Sequence, residues 1–300
     1  MLIVGVDENG LGPILGPLVV TATAFRADYY APEQFWQLCA AGLHADDSKK
    51  VFHRGQFSRA EEWALRWLRV FGIDATDGHE LESSICLPIS EPCPDHAPRI
   101  CRTGRLRTLP VWTSSTPIVD DAATPPFRTG SIQPLCTCAI SVCPGAYNAA
   151  LTNSPINKLE YDFHLMITLV RELQQRYPGE PTLALCGKIG STRCYLPWLH
   201  KAGVAALAQT ETPAESTYRT GDLTISFIRD GDGSHLPIAV ASIIGKYLRE
   251  LALLDLNDRL DNLSHPASGY RDGVTSRFIA QSRSLRSASG LPDRCFLRSR

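Results

Sequence analysis

Residues 9–17 read Asn-Gly-Leu-Gly-Pro-Ile-Leu-Gly-Pro, and no helix can run through them. Glycine and proline recur every few residues and break both helical dihedrals and helical hydrogen bonds. The apolar runs on either side must therefore stand as separate elements. Leu2-Ile3-Val4-Gly5-Val6 is short and rich in β-branched residues, and reads as a buried strand. Leu18 to Phe25 starts a second one. Asp7 and Glu8 thus fall at a strand end beside a glycine-rich turn. Paired hard oxygen ligands in such a place suit magnesium or manganese. A solvated acidic strand end has the same local sequence, so the pair alone does not choose.

Strand and helix patterns alternate along most of the remaining chain. Ser58-Arg59-Ala60-Glu61 has the form of a capping box, and Trp63, Ala64, Trp67, Leu68 and Phe71 follow at helical spacing. Leu159, Phe163, Met166, Ile167, Val170 and Leu173 form the apolar face of a strong helix closed by Pro178-Gly179. Thr182 to Leu185 and Leu223 to Ile228 read as buried strands. Pro237 opens a helix expected to run from Ile238 to about Leu254, and a last helix is expected from Thr275 to about Leu285. This alternation predicts an α/β domain with its chemistry at strand ends.

The pattern fails between residues 74 and 147, a stretch rich in Pro, Ser, Thr, Cys and Arg. It reads as an irregular insertion within one domain covering 1–300. Six of the ten cysteines lie there. With no secretory leader a disulfide framework is not expected. Cys86, Cys93, Cys101, Cys136, Cys138 and Cys143, with His96, are a weak candidate for zinc, because no Cys-x-x-Cys pair occurs.

Net charge is −1, so no global field draws the chain to nucleic acid. The C-terminal end is locally basic, however. Arg271, Arg277, Arg283, Arg286, Arg294, Arg298 and Arg300 face only Asp272 and Asp293 in sequence, which predicts either a solvated tail or a phosphate-tracking surface. No apolar run approaches membrane-spanning length, and a cytoplasmic protein without a membrane partner is expected.

Further polar clusters sit between elements. Asp232 follows the strand ending at Ile228 and precedes the helix at Pro237, whose positive end favours an ionised carboxylate. Asp230 and Asp232 beside glycines are also ordinary turn formers. Asp46-Asp47-Ser48-Lys49-Lys50 is either a charged turn or a phosphate loop. Gly10-x-Gly12-x-x-x-Gly16 misses the dinucleotide spacing, and no Walker sequence occurs, so a nucleotide cofactor is not expected.

Taken in order, these motifs resemble ribonuclease HII. Val4 to Val20 is similar to that family's G-[IV]-D-E-A-G-R-G-P-x-x-G-P-[LV]-V-x opening. Asp47-Ser48-Lys49-Lys50 resembles its D-S-K-K element, and Ile156-Asn157 its I-N helix start. Asp232, then Ile238 to Lys246 with Arg249-Glu250, is similar to G-D-x(5)-I-A-A-A-S-I-x-A-K-x-x-R-D. Gly269-Tyr270 resembles the K-G-Y-x-T loop, and Gly290 to Phe296 the G-x-x-x-x-R-x-S-F ending.

The resemblance implies a ribonuclease H-like fold, a mixed central β-sheet flanked by helices with a C-terminal helical segment. It implies a monomer that cleaves the RNA strand of an RNA–DNA hybrid, or DNA at an embedded ribonucleotide, using Mg2+ or Mn2+. It assigns Asp7, Glu8 and Asp232 to metal binding and catalysis. It assigns Gly10, Leu11, Gly12, Ser48, Lys49, Lys50, Lys246 and Tyr270 to nucleic-acid contact.

Two positions depart from the pattern. Cys186 stands where a fourth carboxylate is expected, and a thiol is a poor magnesium ligand, so this is a degenerate metal position. Leu11 replaces an arginine in the turn, removing a charge-assisted contact. These departures keep a second reading open, a catalytically silent member that binds nucleic acid.

Overall fold

The computed structural model describes residues 1–40, 43–52, 57–88, 107–114, 131–260 and 266–299. The chain opens as two antiparallel strands, β1 (Leu2–Asn9) and β2 (Leu18–Ala27), joined by the glycine-rich turn. Helices α1 (Pro32–Ala40), α2 (Ser48–Val51), α3 (Phe57–Val70) and α4 (Gly78–Ile85) follow. Strand β3 (Ile132–Val142) pairs with β2 and leads through α5 (Pro144–Asn153) into the long helix α6 (Lys158–Arg176). Next come β4 (Thr182–Gly187), α7 (Leu196–Lys201) and the strands β5 (Leu207–Glu211), β6 (Glu215–Thr220) and β7 (Leu223–Ile228). A single 3-10 turn at Gly231–Gly233 precedes α8 (Leu236–Arg259). The chain closes with α9 (Gly273–Gln281), α10 (Arg283–Ala288) and α11 (Asp293–Phe296).

The seven strands form one mixed sheet in the order β3-β2-β1-β4-β7-β6-β5. β1, β4 and β7 are parallel to one another, and the remaining neighbours pair antiparallel. Helix α6 covers one face, packing its Phe163, Met166, Ile167 and Val170 against Val4, Val6, Ala184 and Cys186. Helix α8 covers the other face, between the sheet and α3. Its Leu236–Gly245 segment is buried on every side, which explains why the sequence there is apolar all round rather than amphipathic.

Close approach of α8 to the sheet depends on small residues. A Cβ at Gly5 would overlap the backbone of Pro237, and one at Gly245 would stand 2.7 Å from the Thr21 hydroxyl and 2.8 Å from Asn9 Nδ2. Polar groups then lock the contact. Thr23 Oγ1 donates to the Pro237 carbonyl at 2.8 Å, and Asn9 Nδ2 to the Ser242 carbonyl at 3.1 Å.

Four expectations need correction. The stretch at 74–147 is not irregular throughout: it holds α4 and the strand β3, whose pairing with β2 extends from Ile132 to Val142. Apolar residues alternate poorly in β3 because Pro134, Cys136 and Thr137 interrupt them, yet the neighbouring strand satisfies its backbone. Residues 89–106 and 115–130 lie outside the described residues. The capping-box reading fails because Ser58 lies within α3 and Glu61 turns instead to Val111, Trp112 and Thr113. The last expected helix is two helices, α9 and α10, divided at Ser282, whose hydroxyl bonds back to the Phe278 carbonyl at 2.7 Å. Finally, Arg286 and Arg298 are not surface residues. Arg286 packs over the Phe296 ring and pairs with Asp293 at 3.1 Å, and Arg298 is buried over the Tyr147 ring.

Candidate active site at the ends of β1 and β4

Asp7 and Glu8 occupy the C-terminal end of β1, the strand that pairs antiparallel with β2 on one side and parallel with β4 on the other. Side chains alternate along a strand, so the two carboxylates leave on opposite faces. Asp7 follows Ile3 and Gly5 onto the α8 face, and the Ser242 hydroxyl of α8 hydrogen-bonds to it. The residue as a whole is half-buried, and protein closely surrounds its carboxylate. Burial raises its pKa well above the ordinary carboxylate value, and the negative charges of Glu8 and Asp232 raise it further, against the Ser242 hydrogen bond. Asp232, far along the chain, is thus brought to Asp7 by the turn between β7 and α8.

Cys186 is beside this cluster, but it faces the other way. It pairs with Val6 in the parallel register, is fully buried, and belongs with Val4, Val6 and Ala184 to the core beneath α6. The residue level with Asp7 is Gly187, where any Cβ would overlap the Asp7 carboxylate. Burial pushes the Cys186 thiol up, with the charges of Asp7 and Asp162 adding to the effect, so the sulfur is held protonated.

Asp162 was not singled out in the sequence. It lies on α6 between Tyr161 and Phe163, and is completely buried. Burial raises its pKa well above the ordinary value, and Asp7 adds to the shift. Its spacing was the signal that could have found it: Asp162 stands three residues after Leu159 and four before Met166, on the apolar face of the helix rather than the solvent face.

The two glycine loops meet over the end of β1. The amides of Ile14 and Leu15 both donate to the Gly269 carbonyl, at 2.8 and 3.4 Å. The Tyr270 ring lies 3.8 Å from where a Gly12 Cβ would stand, and Tyr270 is 51% exposed. Gly10 has φ +101, and a Cβ there would be 2.6 Å from Arg249 Nε, so this turn requires glycine. Leu11 is half-buried against the α6-side core. Arg249, buried nearby, reaches the carbonyls of Leu15 and Ser268.

The lysines are less tightly placed. Lys246, one turn after Ser242 on α8, pairs with Glu250 at 2.9 Å. Lys50 is exposed and pairs with Asp46 at 3.3 Å, on a short helix packed against α8. The side chains of Ser48 and Lys49 lie outside the described residues. So do Cys93, Cys101 and His96; Cys86, Cys136, Cys138 and Cys143 form no disulfide. Burial raises Cys138 to about 12.

Hard carboxylate oxygens near one end of the sheet fit a divalent cation by donor chemistry. They do not form a closed cage. Among the described residues, no three His, Cys, Asp or Glu side chains are grouped to hold one ion. No described helix is long and apolar enough to cross a membrane.

No family model matches the chain, and no curated protein matches it. Among solved structures it is similar to the ribonuclease H2 from Pyrococcus horikoshii OT3, at 15% identity and a TM-score of 0.50, covering 99% of this chain and 92% of that one. It is also similar to RNase HII in its complex with PCNA from Archaeoglobus fulgidus, at 19% identity and a TM-score of 0.48, covering 100% and 95%. Similarity to Bst-RNase HIII in complex with Mn2+ is at 14% identity and a TM-score of 0.49, covering 99% and 66%. Likeness at these identities is one of fold. The chain has a ribonuclease H-like fold, with a mixed seven-stranded sheet between helical layers.

Proposed function

We propose that the protein is a metal-dependent endoribonuclease that acts on the RNA strand of RNA–DNA hybrids or at ribonucleotides embedded in DNA. One observation carries this reading: Glu8 and Asp232 each lie near enough to Asp7, at the carboxyl end of β1, for their charges to raise its pKa. Separated carboxylates of like charge are costly to assemble, and a cation removes that cost. When bound there, Mg2+ or Mn2+ supplies an activated water and stabilises the leaving oxygen.

The chain's own residues supply position. Ser242 orients Asp7, and the turn ahead of α8 carries Asp232 toward it. Gly10 and Gly12 keep the backbone bare for a close approach by the nucleic acid. The exposed Tyr270 ring offers a face for a sugar or base at the ribonucleotide. Lys49, Lys50 and Lys246 are the candidate phosphate contacts.

The test is cleavage of two labelled duplexes, an RNA–DNA hybrid and a DNA duplex with one ribonucleotide, with Mg2+ and then Mn2+. Metal-dependent cleavage is expected on at least one, falling at least about 100-fold in Asp7→Asn. The buried thiol at Cys186 and the loss of arginine at Leu11 favour a second reading, binding without cleavage. Tight duplex binding with no product under either metal would select it.

A further inference from the structure

Asp162 presents a physical problem that the fold does not solve. It is 0% exposed, and both of its carboxylate oxygens are buried without a hydrogen-bond partner. A buried polar group with no partner costs free energy, and native structures hold few of them. Its neighbours on the inner face of α6 are Phe163, Leu165 and Met166, so an apolar side chain would pack there at no such cost. Glu160, two residues earlier, shows the ordinary solution, a Lys201 ammonium at 2.6 Å. Among the described residues no cation pairs with Asp162.

Its location is specific. Helix α6 lies across β1 and β4 on the face that carries Val6 and Cys186. Asp162 is close enough to both Asp7 and Cys186 for its charge to act on them. Alternation along β1 sends Glu8 to the α6 side. The α8 side therefore has Asp7 and Asp232 as oxygen donors, whereas on the α6 side β4 supplies only a protonated thiol.

We propose that Asp162 is a metal-binding carboxylate, delivering from helix α6 the hard oxygen ligand that β4 lacks at Cys186. The proposal rests on the metal-dependent reading above and extends its site across the sheet. It accounts for the missing partner, which is the cation itself.

The test uses the full chain and Mn2+ alone, with affinity followed by electron paramagnetic resonance and stability by thermal melting. Asp162→Asn keeps the shape and removes the charge. Without metal it is expected to melt no lower than the parent, since an unpartnered acid has been neutralised. Mn2+ affinity is expected to fall by roughly tenfold or more, as metal sites do when a supporting group is lost. Cys186→Asp in the Asp162→Asn background is expected to restore binding. If Asp162→Asn does not fold, Asp162→Ser serves in its place. Equal Mn2+ affinity in parent and variant, with the variant melting lower, would assign Asp162 to structure and overturn the proposal alone. A folded parent that binds no Mn2+ would overturn both the proposal and the metal-dependent reading.

Discussion

Glu61 is the most heavily coordinated carboxylate in the molecule among the described hydrogen bonds. It accepts from the amides of Val111, Trp112 and Thr113 at 2.6, 2.6 and 2.7 Å, and from the Tyr247 hydroxyl at 2.8 Å. One buried side chain thus joins α3, α8 and the 107–114 segment. Glu61→Ala leaves four donors without an acceptor and is expected to destabilise the fold by about 3 kcal/mol or more. Urea denaturation would measure it, and a loss under 1 kcal/mol would mean that solvent replaces the carboxylate. Asp162 is the opposite case, an acid with the same burial and no donors. Comparing the two carboxylates separates a structural acid from one held for chemistry.

At the scale of an element, α9 depends on the residue that precedes it. Asp272 caps it, accepting from the Thr275 amide at 2.7 Å and from the Ser268 hydroxyl at 3.0 Å. The Thr275 amide is the main cause of its lowered pKa. A carboxylate whose folded pKa lies below its unfolded value stabilises above the unfolded pKa, near 4, and loses that contribution as pH falls through the folded value. Asp272→Ala is expected to cost about 1 kcal/mol at pH 7 and clearly less near pH 2, whereas Asp272→Asn keeps the cap at both. Melts at the two pH values would check it; a pH-independent cost would mean the hydrogen bond matters and the charge does not.

The whole molecule is closed by its C-terminal segment. The Arg298 amide donates to the Ile14 carbonyl at 2.9 Å, and its guanidinium reaches the Pro13 carbonyl. Burial and the neighbouring Arg249 lower the Arg298 pKa to about 10. Asn148 binds the carbonyls of Arg294 and Leu297 at 2.8 and 2.7 Å. Leu15, Leu253, Phe278, Leu291 and Phe296 form a separate core under this strap. The glycine-rich turn beside Asp7 is therefore held by residues from the far end of the chain. Removing 290–300 is expected to raise amide exchange at residues 14–16 by about tenfold or more while the β1–β4 amides stay protected. Unchanged exchange at 14–16 would show that the turn holds itself.

Local sequence was enough for the elements that have a local cause. Glycine and proline forced the turn after β1, periodicity marked α6, Pro237 marked the start of α8, and the acids at strand ends followed from the position of those strands. β5 and β6 were not legible, because β5 is exposed along its length and carries no burial pattern. Which way Cys186 faces was not legible either. It depends on the Val6–Cys186 register, and a shift of one residue would turn every side chain of β4 to the other face. Arg286 and Arg298 share this property: charged residues look solvated in sequence, and only packing between distant segments buries them. Periodicity is a property of neighbours along the chain, whereas register and burial are settled by contacts across it, and the tertiary structure alone decided those.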